Sequence, residues 1–405
     1  MTVPTASELD SADPLASYRD LFVGTASPLV YLDGNSLGRP LRASAARLAT
    51  FVEQEWGGRL IRGWDERWMD LPEVLGDAIG AQCLGASTGQ TIVGDSTTVL
   101  LYKLMRAAAA LQAEQPGRTE IVLDRDNFPT DRYVADGVAR ECGLTLRWID
   151  VDTDAGVTAD LLADAVGEQT ALVVLSHVAY RSAWMADGAA LTRIAHDAGA
   201  LVLWDLSHSV GSVPLALDDW DADLAVGCTY KYLNGGPGAP AFAYVAERLL
   251  DDLVQPIQGW MGATDIFLMG PTYRPAEGVR RILSGTPPVV GMLALQDMLG
   301  LVSRVGMTAV REKSVGLTSY AIDRAAELLP ETTLASPRDP DLRGGHVTIN
   351  HPLMREVTAA LWERDVIPDY RDPHGLRLGL SPLSTSYDEV ERGLLAVRDV
   401  LDGLG

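Results

Sequence analysis

Positive charge is scarce in this chain, and lysine is scarcer still. Lysine and arginine together number 33 against 55 aspartates and glutamates, a formal net charge of −22 over 405 residues. So acidic a protein is kept in solution by its charge and is ill suited to holding a nucleic-acid backbone. Only three of the cations are lysines: Lys103, Lys231 and Lys313. Cysteine is as rare. Cys83, Cys142 and Cys228 are odd in number and far apart, which suits a reducing compartment such as the cytoplasm rather than a disulfide framework. No CxxC pair offers a metal site. No apolar run approaches the length of a membrane span. The opening stretch, MTVPTASELDSADPLASYRD, has neither a basic region nor an apolar core, so no secretory signal is expected. There is no internal repeat, and no glycine-rich loop ends in GK[ST], which excludes a Walker-type nucleotide loop.

What is present is a soluble globular composition, 47% apolar and 22% charged, long enough for one large domain and a smaller one. Residues 41–56 carry Ala45, Leu48 and Val52 at helical spacing. From about 70 to 250, helical patterns alternate with short β-rich runs: TEIVL (119–123), LTLRWIDV (144–151), ALVVLSHV (171–178), GALVLWD (199–205) and ADLAVGCTY (222–230). Near-continuous apolar runs separated by helices predict a mostly parallel sheet covered on both faces. A clear helix, GAALTRIAHDAG, ends at Gly199, a C-cap residue. Beyond about 300 the pattern changes to helices at 314–329 and 387–402 flanking the strand-like HVTIN and LRLGL, a smaller α+β unit joined by the N-terminal segment. Lys103 and Lys313 lie in helical patterns and read as ordinary surface residues.

Ligands of such sheets bind beyond the carboxyl ends of the strands. Asp205 closes GALVLWD, Lys231 closes LAVGCTY, Ser182 follows ALVVLSHVAY, and Asp131 follows TEIVL. A carboxylate and an ammonium in such places need partners. Pyridoxal phosphate satisfies both, because a lysine binds its aldehyde as a Schiff base and an aspartate keeps its pyridine nitrogen protonated. A buried salt bridge is the simpler account of those two residues alone. His208 in WDLSHSVG could brace the aspartate or be a satisfied turn histidine. Phe128 in NFPTDRY could stack on a cofactor ring, or the segment could be a proline turn capping a helix. GDSTTVLLYKLM opens an apolar helix with small hydroxyl residues, a phosphate cup or an ordinary cap. Arg377 in LRLGLSP would need an anion if it faced inwards, and a substrate carboxylate fits its fork; on the solvent face of an edge strand it would need none.

Taken together, the stretches YLDGNSLGRP (31–40), NFPTD (127–131), LSHVAYRS (175–182), WDLSHSVGSVP (204–214), CTYKYLNGGPG (228–238), GW (259–260), SGTPP (284–288) and LRLGLSPL (376–383) resemble the kynureninase family of pyridoxal phosphate enzymes, in family order along nearly the whole chain. The resemblance implies a fold type I α/β architecture: a large domain (46–300) with a mostly parallel seven-stranded sheet, and a small α+β domain (301–405) packed with segment 1–45. It implies that Lys231 holds the cofactor; that Thr97, Thr98 and Tyr230 hold its phosphate; that Phe128 stacks on its ring; and that Asp131, Ser182, Asp205 and His208 line its site. Trp260 and Thr286 would come from the other subunit of a homodimer. Arg377, with Asn35 and Trp64, would hold the substrate. Lys231 and Tyr230 would act as proton carriers in the hydrolytic cleavage of L-kynurenine to an anthranilate and alanine, a step of tryptophan catabolism and, through the kynurenine pathway, of NAD biosynthesis. GWMGATDIF lacks the histidine many members have after GW, and Gly285 with Thr286 resembles members that prefer unsubstituted kynurenine to its 3-hydroxy form.

Three rivals remain. A cysteine desulfurase or selenocysteine lyase shares the Asp–Lys logic but needs a nucleophilic cysteine on a mobile C-terminal loop, and the last cysteine here is Cys228. A simple aminotransferase does not account for the Tyr230–Lys231 pair. A non-catalytic protein on the same scaffold would not need Asp205, Lys231 and Arg377 together.

Overall fold

Valine, leucine and isoleucine crowd the strand-like runs of the large domain, and side chains alternate to opposite faces of a strand, so such runs need cover on both sides. In the computed structural model, which describes residues 4–404, they form one sheet: β1 (Thr91–Gly94), β2 (Glu120–Asp124), β3 (Thr145–Ile149), β4 (Thr170–Ser176), β5 (Leu201–Asp205), β6 (Leu224–Gly227) and β7 (Ala241–Val245). The strand order is β1-β7-β6-β5-β4-β2-β3. The β3, β2, β4, β5 and β6 strands are mutually parallel, while β7 runs antiparallel to both of its neighbours. β4 shows the two-sided burial: Val173 and Leu175 enter one core, with Trp204 and Phe242, while Leu172 and Val174 enter the other, with Leu104 and Val138. The five runs read from the sequence are β2 to β6. β1 and β7 pair with each other at the far edge of the sheet.

Helix α1 (Arg42–Thr50) forms within the predicted 41–56 segment, and a turn of wider helix continues it to Trp56. Its buried face is not the predicted one. Leu41, Ser44 and Phe51 are buried, whereas Val52 is exposed. Helix α2 (Thr97–Gln112) follows β1 and is capped by Ser96, whose hydroxyl accepts from Val99 N. Helix α3 (Pro129–Cys142) follows β2. Helix α4 (Gly188–Asp197) is the one read from GAALTRIAHDAG, and Gly199 takes the left-handed conformation just beyond it, φ +74°.

Helix α5 (Val289–Val305) packs against α1, and α6 (Met307–Leu328) turns away from α5 by 90°. Gly306, at φ +81°, makes the corner. Beyond it, β8 (Thr333–Leu334), β9 (His346–Asn350), β10 (Asp369–Arg371) and β11 (Gly375–Gly379) form an antiparallel sheet in the order β10-β11-β9-β8. Helix α7 (Tyr387–Leu404) buries Val390, Leu394, Val397 and Leu401. A third core gathers these with Leu317, Ile349 and Leu378, and with Ala6, Val30 and Leu32 of the N-terminal segment. That segment also adds Val30–Tyr31 in parallel to Val366–Ile367.

The two lysines read as surface residues are not at the surface. Lys103 is fully buried, its Nζ donating to Asp95 Oδ2 at 2.6 Å and Ile282 O at 2.8 Å. Lys313 is 6% exposed, with its Nζ 2.6 Å from Asp13 Oδ2 and 3.9 Å from the Tyr387 ring centre. Helical periodicity places them on their helices but does not show what packs against those helices. No single helix among the described residues is long and apolar enough to cross a membrane.

Candidate active site

The carboxyl ends of β2, β4, β5 and β6 face one way, and a cavity of about 540 Å³ lies beyond them. Its floor holds Asp205, His208 and Lys231; one wall is Phe128 and Asp131; another is the start of α2 with Thr97 and Thr98. Tyr230 and the segment from Leu283 to Pro288 complete it, and Thr286, expected from another subunit, here lines the cavity of its own chain.

Lys231 lies four residues beyond the end of β6, in the turn before the glycine-rich LNGGPG. It is buried, its Nζ 2.9 Å from His208 Nε2 and 5.9 Å from the Phe128 ring centre. An ammonium there donates to Nε2, which puts the imidazole proton on Nδ1. Burial, and then the charge of Lys231, hold His208 well below the usual histidine range, so its ring is neutral. Asp205 is fixed by Ser207 N, which donates to its Oδ1 at 2.8 Å. Asp131 is buried and its carboxyl is pushed well above the usual range, by burial first and then by the charges of Asp205 and Asp124. Burial, and then the thiol of Cys228, raise the Tyr230 hydroxyl above the ordinary phenol range, so it keeps its proton at neutral pH.

These residues fit pyridoxal phosphate. Asp131 Oδ2 and His208 Nδ1 are buried without hydrogen-bond partners beside the cavity they line. Asp205, whose charge helps to raise Asp131, is a partner for the protonated nitrogen of a pyridine ring. The first N–H groups of α2 have no partners within the helix, and with the hydroxyls of Thr97 and Thr98 they make an anion cup at one end of the cavity. Lys103 ties this cup together from behind. Asp95 opens the turn before α2, and Ile282 precedes the Leu283–Pro288 wall, so one ammonium joins both sides.

Not every residue named from the sequence is in this cavity; Arg377 and Asn35 are buried and do not line it. Ser182 is a correction: its hydroxyl donates to Ala155 O at 2.7 Å and accepts from Trp184 N at 3.0 Å, fully buried in a turn away from the cavity. Ser176 is the serine at the strand end. It pairs with Asp205 across β4 and β5, and its Oγ donates to Asn127 Oδ1, which also accepts from Phe128 N. The rule that placed Asp205 applies equally to Ser176, as the last residue of ALVVLS. Trp260 does not line the cavity and is 43% exposed. Trp64 packs edge-on against Trp68, ring centres 5.3 Å apart, also outside it.

Arg377 is buried on β11, an interior strand of its sheet and not an edge. Its Nη1 donates to Tyr180 O at 2.7 Å and its Nη2 to Ser36 Oγ at 2.8 Å and to Asp369. Asn35, with its amide oriented to satisfy both ends, accepts from Arg377 Nε at 3.0 Å and donates to Asp33 at 3.2 Å. Ser36 lay inside the quoted YLDGNSLGRP. Asp369 gave no signal, because nothing in the sequence shows that β10 and β11 pair.

The C-terminal domain of kynureninases, as a family model, matches residues 310–396. Kynureninase of Pseudomonas fluorescens is 41% identical over 400 residues, covering 97% of this chain and 94% of that one. Kynureninase of Burkholderia pseudomallei (strain 1106a) is 41% identical over 403 residues, covering 98% and 95%. Among solved structures, a C-DES mutant with glycine covalently linked to its PLP cofactor superposes with a TM-score of 0.82 at 20% identity, over 94% of this chain and 99% of that one. An apo cysteine desulfurase from Thermococcus onnurineus superposes at 0.78 and 18% identity, over 99% of each. At such identities these two share the fold type I architecture. Cys228, the last cysteine, is buried with its thiol on Ser207 O, so it cannot swing over a substrate as a desulfurase cysteine must.

Proposed function

This chain belongs to the kynureninase family, and on that premise we propose that it hydrolyses the Cβ–Cγ bond of L-kynurenine, releasing anthranilate and L-alanine. One observation carries the reading: a buried lysine amine opens into a cavity that also holds two carboxyls, a neutral histidine and a helix N-terminus. Pyridoxal phosphate, once bound, accepts the charge that develops at the substrate's α- and β-carbons. Lys231 would hold it covalently through Nζ, Asp205 would face its pyridine nitrogen, Phe128 would cover its ring, and the cup of Thr97 and Thr98 would take its phosphate, with Tyr230 beside it.

The chain's own groups divide the proton work. Lys231, freed by the incoming amine, removes the α-proton. His208, neutral and within hydrogen-bond reach of Lys231 Nζ, steadies that amine without competing for charge. Tyr230 keeps its proton at neutral pH and so has one to give at the carbonyl and the β-carbon. Arg377 fixes the α-carboxylate, with Asn35 bracing its guanidinium. The unsubstituted kynurenine is the preferred substrate, a reading supported by Gly285 and Thr286 lining the cavity and by Met261 and Ala263 standing where a histidine is absent. The working unit is a homodimer in which Trp260 reaches the partner's site, a reading supported by its exposure together with that of the nearby Phe267, Leu268 and Met269. Segments 1–45 and 301–405 serve as the substrate-gripping domain and 46–300 as the cofactor domain, working in the cytoplasm in tryptophan catabolism.

The test is a product assay on purified protein with L-kynurenine and, separately, 3-hydroxykynurenine. Equal amounts of alanine and anthranilate are expected, lost in Lys231→Ala and slowed about a hundredfold in Tyr230→Phe with cofactor retained. No product from either substrate, with cofactor bound, would overturn the assigned reaction.

A further inference from the structure

His346 opens β9, is fully buried, and neither of its ring nitrogens has a hydrogen-bond partner. An unpaired polar group in the interior is costly, and phenylalanine or leucine would fill the same space without that cost. The bland alternative is a histidine kept for packing. Its surroundings argue otherwise.

Across β9 and β11, His346 is paired with Gly379 and Thr348 with Arg377, so His346 and Arg377 share one face of the sheet. That face meets the large domain. Arg377 Nη1 donates to Tyr180 O, and Thr348 Oγ1 donates to Arg181 O at 2.5 Å. Gly379 leaves the strand bare between them, and a Cβ there would lie 1.8 Å from the Asn35 amide. On the far side of the seam, the His346 ring is 5.4 Å from that of His208, whose Nε2 is 2.9 Å from Lys231 Nζ. His346 therefore stands between the guanidinium assigned to the substrate's carboxylate and the lysine amine.

A count of donors decides what is missing. A guanidinium has five N–H groups. Tyr180 O, Ser36 Oγ, Asp369 Oδ2 and the Asn35 amide oxygen take four of them, which leaves one, on Nη1. A carboxylate is held best by a donor on each oxygen. We propose that His346 is the second donor, its ring N–H binding the substrate's α-carboxylate beside the remaining Nη1 hydrogen of Arg377. Burial, and then the charges of Arg377 and Lys231, hold His346 well below the usual histidine range against the pull of the Arg181 backbone, so the ring is neutral and has one N–H, which would turn from that backbone to the carboxylate. This assignment rests on the reading of Arg377 given above.

The test uses holoenzyme and a pair of amines that differ only in the carboxylate, L-homophenylalanine and phenylpropylamine. Neither has a keto group, so neither is cleaved, and binding is read from the visible absorbance of the cofactor. His346→Phe should weaken L-homophenylalanine about tenfold or more and leave phenylpropylamine within about twofold. His346→Gln, which keeps an N–H, should recover much of the loss. Equal weakening of both ligands, or of neither, overturns the assignment and leaves a packing histidine. Arg377→Lys separates the premise. Should it abolish the preference for the carboxylate while His346→Phe does not, only the histidine assignment falls. Should it leave the preference intact, Arg377 is not the carboxylate's holder.

Discussion

Replacing Lys103 by methionine keeps the length and apolar stem of the side chain and removes its ammonium. Two hydrogen bonds go with it, to Asp95 Oδ2 at 2.6 Å and to Ile282 O at 2.8 Å. Bonds to a charged group contribute about 1.5–3 kcal/mol each, a gross loss of roughly 3–6 kcal/mol. Two effects reduce it. The buried ammonium carries its own desolvation cost, the largest cause holding Lys103 below the usual lysine range. The Asp95 side chain is 30% exposed, so water can solvate the carboxylate left behind. A net destabilisation of about 2–3 kcal/mol remains. These bonds join the turn before α2 to the wall beginning at Leu283, so about half of the loss should appear in the phosphate cup, as a roughly tenfold weaker affinity for pyridoxal phosphate. The assay is a titration of apoprotein with the cofactor, with a thermal melt of the same samples. Lys103→Arg should not rescue, because the larger head has no room at a fully buried site. Unchanged affinity together with an unchanged melt would refute the argument that this ammonium holds the cup.

Asp124 is pushed up to about 7, by burial first and then by Asp126. Its folded value lies above its unfolded one, so its contribution to stability is full below about pH 4 and is lost as pH rises through 7, a span of at most about 4 kcal/mol. Asp124→Asn should therefore narrow the gap in melting temperature between pH 5 and pH 8, and an unchanged gap would show that Asp124 is ionised throughout. Phe267, Leu268 and Met269 are 63%, 69% and 77% exposed. Light scattering should give twice the chain mass, and a double substitution Leu268→Asp, Met269→Asp should give the single-chain mass with weaker cofactor binding; a wild-type monomer would remove the shared site.

Most of the large sheet was legible because β2, β4, β5 and β6 are apolar runs and β3 is a β-rich one. β1 and β7 were not, since each lies among glycines and prolines: β1 between Gly89 and the GDST turn, β7 after Gly238 and Pro240. The face of α1 was misread because Ser44, not an alanine, is the residue turned inwards, and its hydroxyl donates to Asp297 on a distant helix. Lys231, Asp205 and Phe128 could be placed because strand ends point to one edge. Ser36, Asp369 and His346 meet only when the small sheet closes on the segment around Tyr180, a long-range contact that no local pattern encodes. Arg377 was rightly given an anion, but in this structure that anion is Asp369.

The burial of all three lysines has a chemical consequence. Lys103 and Lys313 are tied to aspartates, and Lys231 alone among them lines the cavity. An aldehyde reacts with an amine wherever it meets one, and a surface rich in lysine would capture pyridoxal phosphate at many wrong places. Here the exposed cations are guanidinium groups, which do not form such adducts readily. The surface offers the cofactor no lysine decoys, and the protein directs a promiscuous reagent to one nitrogen largely by what it leaves off its exterior.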